Sequence, residues 1–511
     1  MKKHLSFPSF GLRPLEFAIF LAILLLGLFL RFTDLTDPPL DFHPMRQLRG
    51  AILARSMYYQ MLPHADPARV QKAIETTYTI EPQEPPVLER LVAITYLITG
   101  ERLWVARVYS ILFWVIAGLA FFALARRMTS TSGGLVAWAY FLLLPFGVVA
   151  SRVFQPDPFM VMWIAITLLV AYRWGETRSW KWAVATGLLA GWAMLVKITA
   201  VYYLAPALII IVLTNFGLYK ALRDRWVWLT ALLAMAIPAI YYFGVIGSAS
   251  TSWFSGWGLS FTQLLVKPRF YITWLKFLDF LMDLTLVGLA LIGVVFIPKT
   301  KDRLLVLGLW AGYVLFGLSF PYPIRTHEYY SIMLIPVVGI SLASVGKMVF
   351  DALAKQLRWW QWFVIPVMLL AVAYPSWLTY TGFIGVNYRT EPPGWQKMGA
   401  VLPEGEYIGL THDYGMRIAY YGWRLVRFWP SNYDYAMLAQ RNKGYSQNFE
   451  KLFSQKTSGM DYFLVTLKGE LDAQPMLKAR LYEKYPHTEG KGYILFDLRH
   501  PIQSSPGAGP F

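Results

Sequence analysis

The 511-residue chain has no cysteine, which removes disulfides, thiolate nucleophiles and cysteine metal sites and leaves the redox compartment open. Charge is the second scarcity. Only 15% of residues are charged, and 30 acidic side chains face 47 basic ones, a formal charge of +17. Against this, 56% of residues are hydrophobic and the mean hydropathy is +0.42. A soluble domain so apolar could not cover its surface with polar groups, so the chain reads as an α-helical polytopic membrane protein. The basic excess does not imply nucleic acid. Its Lys and Arg fall in short clusters between apolar runs, the distribution that membrane topology and anionic lipid require. No internal repeat is visible either, which weakens a transporter reading.

About eleven apolar runs approach the roughly 20 residues that cross a bilayer. They lie near 15–32, 103–125, 133–150, 158–173, 181–196, 199–216, 226–247, 276–297, 304–320, 329–349 and 361–383. Lys2, Lys3 and Arg13 precede Leu15–Leu30 as in a signal peptide. That run is long and no small-residue cleavage site follows, so it is expected to persist as the first helix. The 181–216 region reads as one broken span or two, and charge decides. With a cytoplasmic N-terminus, alternate loops carry Arg126 and Arg127; Arg173, Arg178 and Lys181; Lys220, Arg223 and Arg225; Lys299, Lys301 and Arg303; Lys347, Lys355 and Arg358. Eleven spans, with the N-terminus inside and the C-terminus outside, satisfy every loop.

The remaining loops then share the outer side. The first, 33–102, is long and holds Pro38-Pro39-Leu40-Asp41-Phe42-His43-Pro44-Met45-Arg46-Gln47, with Asp34, Asp37 and Arg49 nearby and Glu84 further on. Within it, Leu48–Gln60 and Val87–Thr99 have the spacing of helices lying in the membrane interface. Other outer loops carry Arg152 and Asp157, Lys197, Lys267 and Arg269, and Arg325, His327, Glu328, Tyr329 and Tyr330. Titratable groups thus converge on one face, while the inner loops read as plain orientation signals.

Residues 1–386 form the membrane module, and from 387 to 511 the composition turns polar. Tyr407–Thr411, Arg424–Phe428, Asp461–Leu467 and Gly492–Leu498 read as strands, with helical patterns near 415–421, 433–441, 447–456 and 472–484. The alternation predicts a small extracytoplasmic α/β domain with a largely parallel sheet. It contains no GxGxxG and no P-loop, so a nucleotide site has no motif support. His412-Asp413, ending the first strand, is either a ligand site by topology or plain turn chemistry.

Several short motifs recur in a known order. An acidic residue follows the first span, Glu84-Pro85-Pro86-Val87-Leu88 stands in the long loop, and Arg152 to Asp157 reads Arg-x-x-x-Pro-Asp. Lys197 ends the fifth span, and His327 to Pro336 reads His-x-Tyr-Tyr-x-x-x-x-x-Pro. Together they resemble the C-type (GT-C) membrane glycosyltransferases over about residues 15–383. The nearest likeness is to the branch of protein mannosyltransferases and lipid A aminoarabinose transferases. The resemblance implies transfer of a sugar from a polyprenyl-phosphate donor to a lipid, glycan or protein acceptor outside the cytoplasmic membrane, and it places the catalytic residue at Asp41. Two departures stand out. Asp41 is followed by Phe42 and His43 where relatives often carry Asp-Glu, and the Pro-Pro step is preceded by Glu84 rather than His or Lys.

The chemistry follows from such a substrate. Polyprenyl phosphate is a good leaving group, so a base for the acceptor and cations for the departing phosphate are the chief needs. Asp41 can take the acceptor proton, a step worth about 10²–10⁴-fold. Lys197, with Arg325 or Arg269, can neutralise the phosphate. Asp157 can orient a sugar hydroxyl, hold Arg152, or share a metal with His43. A divalent metal held by residues among His43, Glu84, Asp157 and His327 stays open, and His43, Arg46, Arg152, Glu84, His327 and Tyr330 complete the candidate substrate contacts. No close carboxylate pair is evident, which favours direct inverting displacement.

Each residue also has a plainer role. Asp41 could cap a turn, Lys197 could snorkel to the headgroups, His327 could be a hydrogen-bonded interfacial histidine, and Tyr329 and Tyr330 could belong to an aromatic belt. The rival class is a transporter or lipid flippase, which would want charges near mid-membrane. An oligosaccharyltransferase is the second rival; Trp429-Pro430-Ser431-Asn432-Tyr433-Asp434 matches its tryptophan–aspartate motif poorly. The outer domain is expected to contribute to acceptor choice.

Overall fold

The computed structural model describes residues 11–356, 358–441 and 448–502. Lys2 and Lys3, which precede the first apolar run in the manner of a signal peptide, lie outside the described residues. Contacts divide the chain into two compact units. The first holds the chain up to Leu35, Pro82–Leu88 and Ala106–Val386; the second holds Thr36–Glu81, Glu89–Val105 and the chain from Asn387 on. Two stretches of the first loop thus group with the C-terminal residues.

In the first unit all eleven apolar runs are helical. Among the described residues, eight helices are individually long and apolar enough to cross a bilayer, from Pro14–Phe32 to Trp362–Gly385. The 276–297 run differs. It belongs to two helices, Pro268–Met282 and Leu284–Val295, bent by 94°. The break falls at Asp283, whose φ is +61° and whose Oδ1 accepts the Thr285 N–H at 2.8 Å, so it ends one helix and caps the next. The 133–150 run also divides, into Thr131–Leu143 and Pro145–Ala150, because Pro145 has no N–H with which to continue the ladder. Trp180–Val196 is, like Thr131–Leu143, a shorter apolar helix. The protein is a multi-pass membrane protein.

Lipid supplies little drive for one helix to bury another, so close approach at small residues matters. Trp180–Val196 packs on Arg225–Ala239, where a Cβ on Gly191 would meet the Leu233 carbonyl oxygen at 2.7 Å. Thr300–Ser319 packs on Val201–Phe216, where a Cβ on Gly312 would stand 2.2 Å from the Tyr202 carbonyl oxygen. That neighbour is backbone and cannot rotate away. Gly312→Val should therefore force the two helices apart and lower thermal stability in detergent by at least about 1–3 kcal/mol; an unchanged melting curve would contradict this packing.

In the second unit the first-loop helix runs Pro44–Met61, and Pro67–Glu75, not anticipated from the sequence, follows it. Among the described residues five strands form the sheet: β1 Tyr407–Leu410, β2 Val426–Phe428, β3 Tyr462–Val465, β4 His487–Gly490 and β5 Tyr493–Asp497. Their order is β2-β1-β3-β5-β4. β1 is parallel to β2 and β3, whereas β3–β5 and β4–β5 are antiparallel. Only half the sheet is parallel, then, because β4 and β5 form a hairpin through Lys491-Gly492, with Gly492 at φ +85°. Ile408, Leu410, Trp429, Phe453, Phe463, Val465 and Phe496 form the core beneath it.

The loop helix joins this domain through charge as well as packing. Pro44–Met61 packs on Met416–Gly422. Arg55 pairs with Glu101 at 2.7 Å, donates to the Tyr420 carbonyl, and lies 3.8 Å from the Tyr420 ring centre and 4.2 Å from that of Trp423. The Tyr420 hydroxyl donates to the same Glu101 oxygen at 2.7 Å. A buried cation is tolerated only with such partners.

Candidate active site

Two polar constellations stand out, one in each unit. In the membrane unit Asp157 is the first residue of the helix Asp157–Thr177, and Lys197 follows the last turn of Trp180–Val196. Each charge suits its helix end: a carboxylate at the positive N-terminus, an ammonium at the negative C-terminus. Both are buried, at 1% and 7% exposure, and Lys197 Nζ donates to Asp157 Oδ1 at 2.7 Å. At Lys197 the backbone is extended, with φ −156°, before a short turn leads into Val201–Phe216. The 181–216 region is thus broken at the lysine itself.

The lysine nitrogen also lies 5.1 Å and 5.7 Å from the ring centres of Tyr329 and Tyr330, within cation–π range. Tyr330 in turn stacks on Phe316 at 5.4 Å. A small cavity opens among Asp157, Lys197, Thr199, Tyr203, Phe316 and Tyr330. Around it, Asp157 Oδ2 and the Tyr203 hydroxyl are buried without a hydrogen-bond partner among the described residues. Buried polar atoms left so are costly, about 1–3 kcal/mol each, and mark places where a bound polar group would be welcome.

His327 opens the turn Glu328–Ser331, its Nδ1 2.8 Å from Thr326 Oγ1 and its ring edge-on to Trp257 and near Tyr330. Arg325, half-buried, lies 5.5 Å from the Tyr322 ring centre. Arg269 is exposed on the first turn of Pro268–Met282 and does not line the cavity. Arg152, 1% exposed, donates to the carbonyl oxygens of Thr33 at 2.6 Å and Asp34 at 2.9 Å, and faces the Phe383 ring. Two of its nitrogens thus fasten the chain leaving the first helix. Glu84 is half-buried within Pro82–Leu88. Sequence reasoning passed over Tyr203 and also Gln155, which is 2% exposed with neither amide atom partnered among the described residues.

In the second unit Asp41 is exposed at the end of the Pro38-Pro39 step. Its Oδ1 accepts the Phe42 N–H at 3.0 Å and the Gln47 amide at 3.1 Å, and Gln47 also holds the Phe42 carbonyl at 2.7 Å. Gln47 is fully buried in the first turn of Pro44–Met61. His43 precedes that helix in the left-handed region, φ +45°, its ring edge-on to Phe42 at 4.7 Å. Arg46, in the first turn of the same helix, is half-buried. Asp37, 7% exposed, accepts the Tyr388 N–H at 3.0 and 3.3 Å and pairs with Arg389 at 3.3 Å.

At the carboxyl end of β1, His412 shares the Thr466 hydroxyl at 2.9 Å, and burial, then the nearby Arg417, pushes its imidazole below the usual range. Asp413 and Tyr414 take left-handed backbone, and Arg417 pairs with Asp413 and Glu391. Among the described residues no group of three or more His, Asp or Glu side chains is arranged to hold a metal ion, so the set His43, Glu84, Asp157 and His327 finds no support as a metal centre.

Residues 83–242 match the family model described as dolichyl-phosphate-mannose-protein mannosyltransferase. No curated protein matches the sequence. Among solved structures, the oligosaccharyltransferase AglB of Archaeoglobus fulgidus, in complex with an inhibitory peptide and a dolichol-phosphate, is 13% identical, with a TM-score of 0.59 over 94% of this chain and 74% of its own. The same enzyme in complex with Zn and sulfate gives 15% and 0.58, over 94% and 73%. ArnT of Cupriavidus metallidurans, bound to undecaprenyl phosphate, gives 15% and 0.53, over 93% and 97%. The chain therefore has the fold of the C-type membrane glycosyltransferases, and its residues 83–242 match the model of their protein mannosyltransferase branch.

Proposed function

We propose that the protein is a glycosyltransferase that moves a sugar from a polyprenyl-phosphate donor to a lipid, glycan or protein acceptor at the outer face of the cytoplasmic membrane. The observation that carries this reading is the buried Asp157–Lys197 pair beside a cavity in an otherwise apolar helical unit. An ionisable group kept at such a place is costly and is a functional candidate by default. The donor class is supported by two solved relatives of the same fold, one with dolichol-phosphate and one with undecaprenyl phosphate. The matched family description names the same kind of donor.

In the proposed step an acceptor hydroxyl oxygen attacks the anomeric carbon and Asp41 takes its proton. The bond from that carbon to the phosphate oxygen breaks, the electron pair leaves with the phosphate, and the configuration inverts. Lys197 neutralises the departing phosphate, and Arg325 is a second cation for it. Asp157 orients Lys197 through Oδ1 and offers Oδ2 to a sugar hydroxyl. Arg152 fits a supporting role better than a substrate contact, since its guanidinium fastens the chain after the first helix.

Purified protein in lipid nanodiscs, given polyprenyl-phosphate mannose or aminoarabinose labelled in the lipid, should release labelled polyprenyl phosphate when membrane extract supplies the acceptor. Movement of intact donor across a vesicle membrane, with no phosphate released, would instead establish the transporter reading.

A further inference from the structure

We infer that Asp37, Tyr388 and Arg389 form a latch that positions Asp41, so that the residues just after the last membrane helix support the catalytic base. The inference rests on Asp41 being that base, and all the residues it uses lie in one unit.

Asp37 is a carboxylate almost withdrawn from water, a costly state unless it is fully bonded. Its partners come from more than 350 residues along the chain: the Tyr388 N–H reaches both oxygens, and Arg389 Nη1 lies 3.3 Å from Oδ1. Arg389 Nη2 also donates to Thr36 Oγ1 at 3.3 Å, so one guanidinium spans two successive residues of the first loop. On its own side the grip is preformed. The Arg389 N–H is bonded to Asn387 Oδ1 at 3.0 Å, closing a tight turn around Tyr388.

What this does for Asp41 follows from the stretch between. Pro38 and Pro39 have φ fixed near −65° by their rings, and Leu40 is anchored at 3% exposure. Few soft torsions separate Asp37 from Asp41, so fixing one carboxylate restricts the other. Beyond Asp41, buried Gln47 holds Oδ1 from the following helix. The base is thus tethered from both directions, by the latch upstream and by Gln47 downstream. Tyr388 itself senses Asp41: burial, then the Asp41 charge, raises its phenol above the usual range.

The absence of cysteine makes the test direct, because one introduced cysteine is unique in the chain. A nitroxide attached at Asp41→Cys in the full-length protein should give a restrained electron paramagnetic resonance spectrum. Adding Arg389→Ala or Asp37→Asn should sharpen it, Arg389→Lys should restore most of the restraint, and a label at exposed Thr488 in β4 should be unchanged throughout. An identical spectrum at position 41 with and without Arg389→Ala would overturn the latch. Should Arg389→Ala fail to fold, Asp37→Asn carries the same comparison with less disturbance. In turnover, Arg389→Ala on the native Asp41 background should lower kcat about 10-fold or more with donor KM within about two-fold, the signature of a misplaced group rather than lost binding. Turnover that survives Asp41→Asn would refute the base assignment and leave the mobility result standing. A dead Asp41→Asn beside a fully active Arg389→Ala would refute the latch alone.

Discussion

Asp41→Asn should reduce kcat by about 100-fold or more while the protein folds normally and binds donor with nearly its native affinity. A positioned base contributes about 10²–10⁴-fold, and asparagine cannot take the proton. Asp41 is exposed, and what it accepts through Oδ1, the Phe42 N–H and the Gln47 amide, the asparagine oxygen accepts as well. A substitution of that kind at the surface changes stability by no more than about 0.5 kcal/mol. The proper comparison is Gln47→Ala, which leaves the carboxylate but removes its downstream tether. It should cost less than Asp41→Asn, raising the barrier through misorientation alone. Single-turnover release of labelled polyprenyl phosphate measures both. Equal rates for Asp41→Asn and the parent protein would mean the base lies elsewhere, and His43, beside it at the helix start, would be the next residue to test.

The fold was legible wherever the signal was local. Eleven apolar runs became eleven helical regions because hydrophobic length is written residue by residue, and Pro145 and Asp283 altered two of them through backbone rules that a hydropathy window averages away. Four of the five strands were visible as short apolar runs. β4, His487–Gly490, was not, because an exposed edge strand of His, Thr, Glu and Gly has no apolar face to betray it. With β4 missed, the antiparallel half of the sheet was read as parallel.

The candidate residues stand out in the sequence, but their pairings do not. Asp41, Asp157 and Lys197 announced themselves as charges at span ends, but nothing in the sequence said that Lys197 rather than Arg152 bonds Asp157. Arg152 looked like a natural partner five residues away; its guanidinium instead reaches back to Thr33 and Asp34. The least legible feature was that Asp37 is held by Tyr388 and Arg389, since no local pattern reports a contact spanning more than 350 residues. This also changes how the C-terminal domain should be tested. Removing everything from 387 onward would delete the Asp37 latch together with any acceptor surface. Loss of activity in such a truncation would therefore not identify an acceptor-binding role, whereas substitutions at His412 or Arg417, outside the latch, could do so.

The second large effect is expected at Lys197. Lys197→Met should abolish transfer and also destabilise the protein, because Asp157 would remain buried with neither oxygen partnered by a side chain. Breaking a buried ion pair from one side costs about 3–5 kcal/mol. Asp157→Asn should be milder for stability, since asparagine still accepts from the lysine, and should slow transfer because a neutral acceptor holds the ammonium over Tyr329 and Tyr330 less firmly than a carboxylate does. The double variant Lys197→Met with Asp157→Leu separates the two roles of the pair. Replacing both charges by apolar groups removes the uncompensated carboxylate, so thermal unfolding in detergent should return to within about 1 kcal/mol of the parent. Turnover should not return, because the cation proposed to meet the departing phosphate is gone. Recovery of stability and activity together would reduce the pair to a structural staple between two helix ends. Recovery of stability alone is the outcome that a phosphate-neutralising lysine requires.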